Sequence, residues 1–429
     1  MEDKLINRNH WISPLLELLH HLVVWMLSIY LLIDIVSGFF VIQLGIDIKV
    51  SLLFKTLLFL ILITLIARYK FKYFLLLFFS ILLFSIAPVV ELFRLPEIFF
   101  FISDFGYIIK ILMPVTVFLY LRIIHEYAPV YTEKWIRIAL WSNFYCLLFN
   151  LFLGALGFGR ASYELPGQES VGSNGYIYAV NELGPTFIVL FGFMLHIIWN
   201  NYKKYYVFFA VLTLLCGVLV ATKTAMLSAF LLIFLIPLFN ERNLFYRLTW
   251  LKIKLFVPAM VMLSLLVFYI IEFLEVLGLY DKMMWVFSQK GVLGLLWSGR
   301  NEYTAKLFDV YIYHSTLFQQ FFGQGSGGVA EHLTIKYSAE VDSVDTLVWF
   351  GMLGLLFCLS VNFYFIRKAA SFLLDSNSKM APCVLLINIL ILALSQLSGH
   401  VWMSGTLGIS LGLINALLLI EQKKEVEFK

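Results

Sequence analysis

Three carboxylates, Glu340, Asp342 and Asp345, stand at i, i+2 and i+5 just ahead of a long apolar run. A carboxylate under an apolar roof has its charged form disfavoured and its pKa raised, which suits it to take a proton from a hydroxyl near neutral pH. Glu340 is the first candidate for that task and Asp342 the second. Asp342 and Asp345 are equally explained as an acidic first helical turn that complements the helix dipole, and Asp345 also as polar lining of a cavity. Upstream runs a long segment, WSGRNEYTAKLFDVYIYHSTLFQQFFGQGSGG, in which Arg300 is a cation placed at the outer face. Lys223 in the polar break Thr222-Lys223-Thr224 and Arg160 in LGFGRASYELPG are further cations set against apolar sequence. A lysine at bilayer depth costs about 2.5–3.5 kcal/mol, a cost that an anionic substrate would offset. The alternatives stay open: Lys223 snorkelling to headgroups, Arg160 and Arg300 as solvated loop charges. His400 in SGHVWMSG is a candidate acid–base group, or a histidine satisfied by water and helix-end carbonyls. His314 in the long segment, and Asn181 and Glu182 in NELG, complete the candidate lining of a substrate cavity.

Other chemistries lack their residues. The run GQGSGG at 323–328 has no Lys-Ser/Thr of a phosphate-cradling loop and reads as a flexible turn. No Ser-His-Asp set, paired-carboxylate hydrolase pattern or His/Cys metal cluster is visible, so neither metal nor cofactor is expected. Cys146, Cys216, Cys358 and Cys383 all fall in apolar segments without ligand-like spacing and read as packing residues.

The elements that must position these groups are set by composition. With 61% hydrophobic, 17% aromatic and only 14% charged residues, the chain cannot cover a soluble globule with polar surface. It reads as an all-α polytopic membrane protein. Apolar runs of about 17–25 residues, long enough to cross the hydrocarbon core, lie near 18–42, 50–67, 74–93, 105–124, 135–156, 179–199, 205–221, 224–240, 255–273, 346–366, 381–397 and 405–420. That makes about twelve spans, the seventh and eighth divided only by the break at Lys223. The polar N-terminus runs into the first span without a small-residue cleavage site, as an uncleaved segment does.

Twenty of the 31 basic residues fall on one side of this topology and six on the other, leaving out five in the long loop that the positive-inside rule does not count. Both termini are therefore expected in the cytoplasm. The whole chain, 1–429, reads as one integral membrane domain with two outer loops, 157–178 and 275–345, the second joining spans 9 and 10. The net charge of +4 is spread over inner loops rather than gathered in an aromatic-laced patch, which argues against nucleic-acid binding.

VGSNGYIYAVNELGPTF at 171–187, ATKTAMLS at 221–228, WSGR at 297–300, FFGQGSGG at 321–328, EVDSVDTLVWFGMLGLL at 340–356 and SGHVWMSGTLG at 398–408 follow one another in an order that resembles the Wzy-type O-antigen and capsular polysaccharide polymerases, within the O-antigen ligase-like superfamily. The resemblance covers the chain from about residue 140. It implies a glycosyltransferase of GT-C type in the bacterial inner membrane, acting at its periplasmic face without metal or nucleotide sugar. Donor and acceptor would be glycans on undecaprenyl pyrophosphate, with a chain-length regulator and a flippase as possible partners. Arg300, Lys223 and Arg160 would bind the pyrophosphate, and Glu340, Asp342 and His400 would serve the chemistry. Where the ligase branch carries a His-Asn pair ahead of Gly351, this chain has Glu340, which favours polymerase over ligase. A lipid-linked oligosaccharide flippase is the competing class; it should carry charged residues inside its helices along a central path and have short loops on both faces.

Overall fold

Backbone that crosses hydrocarbon must satisfy its own hydrogen bonds, and these leucine- and phenylalanine-rich runs do so as helices. A computed structural model describes residues 14–94, 97–163, 171–178, 180–242, 247–276, 280–333, 336–373 and 378–426. Among these the chain is helical, its one extended pairing an isolated bridge between Tyr163 and Val171. The first eight helices are α1 (Pro14–Leu44), α2 (Val50–Tyr69), α3 (Phe71–Arg94), α4 (Ile98–Tyr127), α5 (Pro129–Ala155), α6 (Val180–Asn201), α7 (Tyr206–Val220) and α8 (Lys223–Asn240). The break at Lys223 is a true one: Ala221 turns left-handed at φ 55°, and the Thr222 hydroxyl accepts the Ala225 N–H at 3.2 Å to cap α8. Several helices outrun their apolar stretches. α1 has 31 residues and rises about 46 Å, well beyond the ~30 Å hydrocarbon core.

Nine helices among the described residues are long and apolar enough to cross a membrane, with shorter apolar helices at Ala381–Ser395 and Gly405–Glu421. The chain is thus a polytopic, all-α, membrane-embedded protein. The stretch expected as one span at 255–273 is broken: α9 (Trp250–Phe268) stops where Tyr269 leaves the helical region at φ −102°, ψ 23°, and α10 (Ile270–Val276) follows. The expected long loop is itself largely helical, comprising α11 (Tyr280–Trp297), α12 (Arg300–Tyr313), α13 (Leu317–Phe322) and α14 (Gly325–Ala330). A capping box between Thr316 and Gln319 starts α13. The glycine run is not a flexible turn; it forms the buried α14, whose Ser326 N–H donates to Asp104 Oδ2 at 3.0 Å. Small side chains let this segment lie against α3 and α4, which a bulkier sequence could not do.

The chain ends with α15 (Asp342–Leu373), α16 (Ala381–Ser395) and α17 (Gly405–Val426). α17 is the axis of the bundle, packed by α1, α4, α5, α6, α15 and α16. From Gly405 to Ile420 it carries no charged residue, as an enclosed helix requires. Gly408 and Gly412 bring it so close to α4 that a Cβ at Gly412 would sit 2.6 Å from Val117. Buried amides join the other helices: Asn143 on α5 accepts from Leu31 N–H and donates to Leu27 O, and Asn388 bonds Asn415 at 2.7 Å. All four cysteines are free thiols.

Contacts between helix ends respect two sides. At one end Ser162 reaches Val220 O, Lys223 reaches Ser298 and Arg300 reaches Leu397 O. At the opposite end Lys70 pairs with Glu126, His196 bonds Lys379 O, and Glu421 accepts the Lys379 and Met380 N–H groups. The first end, which gathers the long loops, holds the candidate residues.

Candidate active site

The WSGR motif works as a turn that aims a guanidinium. Ser298 and Gly299 are both left-handed, at φ 54° and 78°, and α12 begins at Arg300 immediately after them. Arg300 Nη1 donates to Leu397 O and Nη2 to Glu340 Oε2, both at 3.0 Å, while Nε is buried without a partner. Lys223 Nζ donates to Ser298 Oγ at 3.3 Å, which brings the α8 N-terminus to the same turn.

Glu340 meets a second cation. Lys336 Nζ donates to its other oxygen, Oε1, at 2.8 Å. The apolar roof expected over Glu340 is therefore absent as a controlling influence: burial pushes its pKa up, but Lys336 and Arg300 together outweigh burial and hold the carboxyl below its usual range. A base that is held ionised by two cations is a weakened base.

The two aspartates hold the backbone that presents the neighbouring groups. Asp345 accepts the Ala339 N–H at 2.6 Å and the Ser338 hydroxyl at 2.9 Å, and the Glu340 N–H donates in turn to Ser338 Oγ. Asp342, completely buried, accepts the N–H groups of Val401 and Trp402, both at 2.9 Å. One aspartate thus fixes the turn carrying Glu340 and the other the turn carrying His400. The two turns touch: Glu340 and His400 are both left-handed, at φ 56° and 64°, and a Cβ on Gly399 would fall 2.3 Å from Glu340 Cα. Such backbone costs roughly 1–3 kcal/mol per residue and persists only where the surroundings impose it.

His400 is half-buried within reach of the Glu340 and Glu182 carboxylates and of the Lys110 and Lys336 ammonium groups. Burial lowers its pKa, the carboxylates oppose this, and the net shift is downward. Its imidazole is therefore neutral near pH 7 and free to accept a proton.

Glu182, in the first turn of α6, accepts the Ser404 hydroxyl at 2.6 Å and faces Lys110 and Lys55. Asn181 lies half-buried beside it. Arg160 stacks on Tyr178 at 5.6 Å, on a loop that docks onto the α7 C-terminus, where the Ser173 N–H bonds Leu219 O. Tyr163 of that loop lies within reach of Arg300; burial raises its pKa more than Arg300 lowers it. His314 is not part of the assembly. It caps the far end of α12, a full helix of about 20 Å from Arg300, exposed and stacked on His332.

Sequence reasoning passed over Lys336 as one more loop charge, and Asp34, Lys55 and Lys110 altogether as chemical groups. Lys55 pairs with Asp34 at 2.8 Å and donates to Thr406 Oγ1 at 2.7 Å. Gly405 keeps room for the two lysine stems, since a Cβ there would meet Lys55 Cδ at 3.0 Å and Lys110 Cγ at 3.5 Å. The available signal was a charge inside each of three apolar runs, the mark of groups that face a bundle interior.

The assembly has three cations on one flank, Arg300, Lys336 and Lys223, with a carboxylate between two of them and a neutral imidazole alongside. Such a cluster of side chains has the chemistry to bind a phosphate-like anion and to accept a proton. No protein-family model and no curated protein sequence matches the chain.

Proposed function

We propose that the chain is a membrane glycosyltransferase that polymerises undecaprenyl-pyrophosphate-linked oligosaccharide repeat units into O-antigen or capsular polysaccharide at the periplasmic face of the bacterial inner membrane. The observation that carries this reading is the meeting of Arg300 and Lys336 on Glu340, next to a neutral His400. In this reading the nine long apolar helices, α9, α16 and α17 make twelve crossings of a GT-C-like fold, with both termini cytoplasmic. Arg300, Lys336 and Lys223 bind the donor's pyrophosphate, and Arg160 lies on the loop beside them. The acceptor hydroxyl attacks the donor's anomeric carbon, a new C–O bond forms, and the bond to the pyrophosphate oxygen breaks with its electron pair. The cations stabilise the charge that grows on that departing phosphate. The hydroxyl proton passes to His400, whose burial favours the neutral imidazole that can accept it. Asp342 and Asp345 act as positioning residues, through the turns they hold.

One observation favours a second reading, a lipid-linked oligosaccharide flippase: Asp34, Lys55, Lys110 and Glu182 are charged groups inside helices, as a central transport path requires. Inactivating the gene and resolving the surface polysaccharide by gel separates the readings. A polymerase leaves surface glycan of single repeat units. A flippase leaves lipid-linked repeats at the inner face, and a ligase leaves finished glycan off its final acceptor; either result overturns the polymerase reading.

A further inference from the structure

Glu340 sits where a substrate anion should. Each of its oxygens is spent on one cation, Oε2 on Arg300 at 3.0 Å and Oε1 on Lys336 at 2.8 Å, which is how two oxygens of a phosphate would divide themselves between the same donors. The pocket is partly desolvated, with side-chain exposures of 15% for Arg300, 24% for Glu340 and 33% for Lys336. Two cations in such surroundings need an anion, and the chain supplies its own. The supply is incomplete. Arg300 Nε remains buried without an acceptor. Two cations against one carboxylate, with the Arg300 Nε still unmatched, leave the site better suited to a dianion than to the monoanion it holds.

The backbone under Glu340 is held by bonds of its own, separate from the two ion pairs of its side chain. The N–H is tied to Ser338, whose hydroxyl is tied to Asp345, and the Cα is pressed against Gly399. A competing anion can therefore displace the carboxylate by side-chain rotation alone, without unmaking the turn. His400 is the neighbour left beside it, and a carboxylate there stabilises the imidazolium that forms when His400 takes a proton.

We propose that Glu340 is a resident anion occupying the seat of the substrate's phosphate, that Lys336 is a binding residue of that seat, and that substrate phosphate enters by displacing Glu340 from Arg300 and Lys336. The inference rests on the anion-binding reading of this pocket given above and deepens it. The seat selects a doubly charged phosphate over neutral glycan, because only a stronger anion repays the loss of the two ion pairs. After reaction the returning carboxylate competes with the pyrophosphate product and hastens its departure.

The test is calorimetric titration of inorganic pyrophosphate into the full chain in detergent micelles, at constant ionic strength so that screening does not differ between variants. Arg300→Ala and Lys336→Ala should each weaken binding roughly tenfold or more, as loss of a partly buried charge partner does. Glu340→Gln and Glu340→Ala should instead tighten it by about tenfold, since both remove the internal competitor and neither removes a donor to the ligand. Two variants are used so that a folding defect in one does not decide the matter, and thermal unfolding of each confirms an intact bundle. Unchanged or weaker binding in both Glu340 variants, with Arg300→Ala and Lys336→Ala still impaired, overturns the resident anion while leaving the anion pocket standing. Indifference of pyrophosphate to all four substitutions overturns the pocket and the inference together.

Discussion

On the polymerase reading, which group takes the proton is decided at His400 and Glu340 by their charged neighbours. Glu340 faces Lys336 and Arg300, and its carboxyl is held below the usual range. His400 faces Glu340 and Glu182 on the acidic side and Lys110 and Lys336 on the basic side, and burial carries its pKa below the ordinary imidazole value of about 6.5. A base works only while unprotonated, so the rate falls as pH drops through the pKa of whichever group serves. With His400 as acceptor, initial rates of glycan extension by purified protein should hold steady through neutrality and fall on an acid limb below about pH 6.5. His400→Gln should abolish that limb and cost about 10²–10⁴ in rate. A His400→Gln enzyme that keeps both its rate and its acid limb removes the imidazole from the chemistry. The sign of the Glu340 shift was not legible in the sequence. Proximity of EVD to an apolar run suggests a raised pKa, whereas Lys336, four residues upstream, is turned onto Glu340 by a non-helical segment, and Arg300 arrives from forty residues away; together they reverse it.

At the scale of elements, the site is held by contacts between turns rather than by any one helix. Asp342 holds the turn at 400–402, Asp345 holds the turn at 338–340, and the two turns are packed at Gly399. A methyl group at position 399 would lie 2.3 Å from Glu340 Cα and 2.5 Å from its carbonyl carbon, backbone atoms that cannot swing aside as a side chain could. Gly399→Ala should therefore separate Glu340 from His400 and reduce extension activity by at least about tenfold, the loss that a displacement near 1 Å readily causes. Gly106→Ala is the control, because a Cβ there meets nothing within 4 Å and an alanine suits the interior of α4 better than glycine. Equal activity in the two variants would mean that the packing of the turns does not matter to function. The sequence made the helix centres legible, since long apolar runs have few other folds in lipid. It hid the helices of the long loop, because α12 is polar and α13 has only six residues, and they depend on caps such as Gly299 and Thr316 rather than on a long apolar run. It also hid the burial of the glycine run, where small residues serve close packing instead of flexibility.

At the scale of the whole molecule, the contacts between helix ends sort the described residues into two sides, and the proposal that one of them faces the cytoplasm rests on the distribution of basic residues. By the sequence count, twenty basic residues are expected on the side of the turn between α6 and α7 and six, outside the long loop, elsewhere. Loop position alone does not make a good probe of this. Ser326, although in the long loop, is completely buried. Leu317 at the start of α13 and Tyr202 after α6 are exposed, at 75% and 55%, and lie at opposite ends of the bundle. In a variant whose four native cysteines are replaced, Leu317→Cys should react with a membrane-impermeant thiol reagent in intact spheroplasts, and Tyr202→Cys only after permeabilisation. Because Arg300 donates to both Leu397 O and Glu340, the site must lie on the side that labels at Leu317. Labelling in the reverse order would place Arg300, Lys336 and His400 on the cytoplasmic face, where a periplasmic polymerase cannot have its active site, and the polymerase reading would fall with the topology.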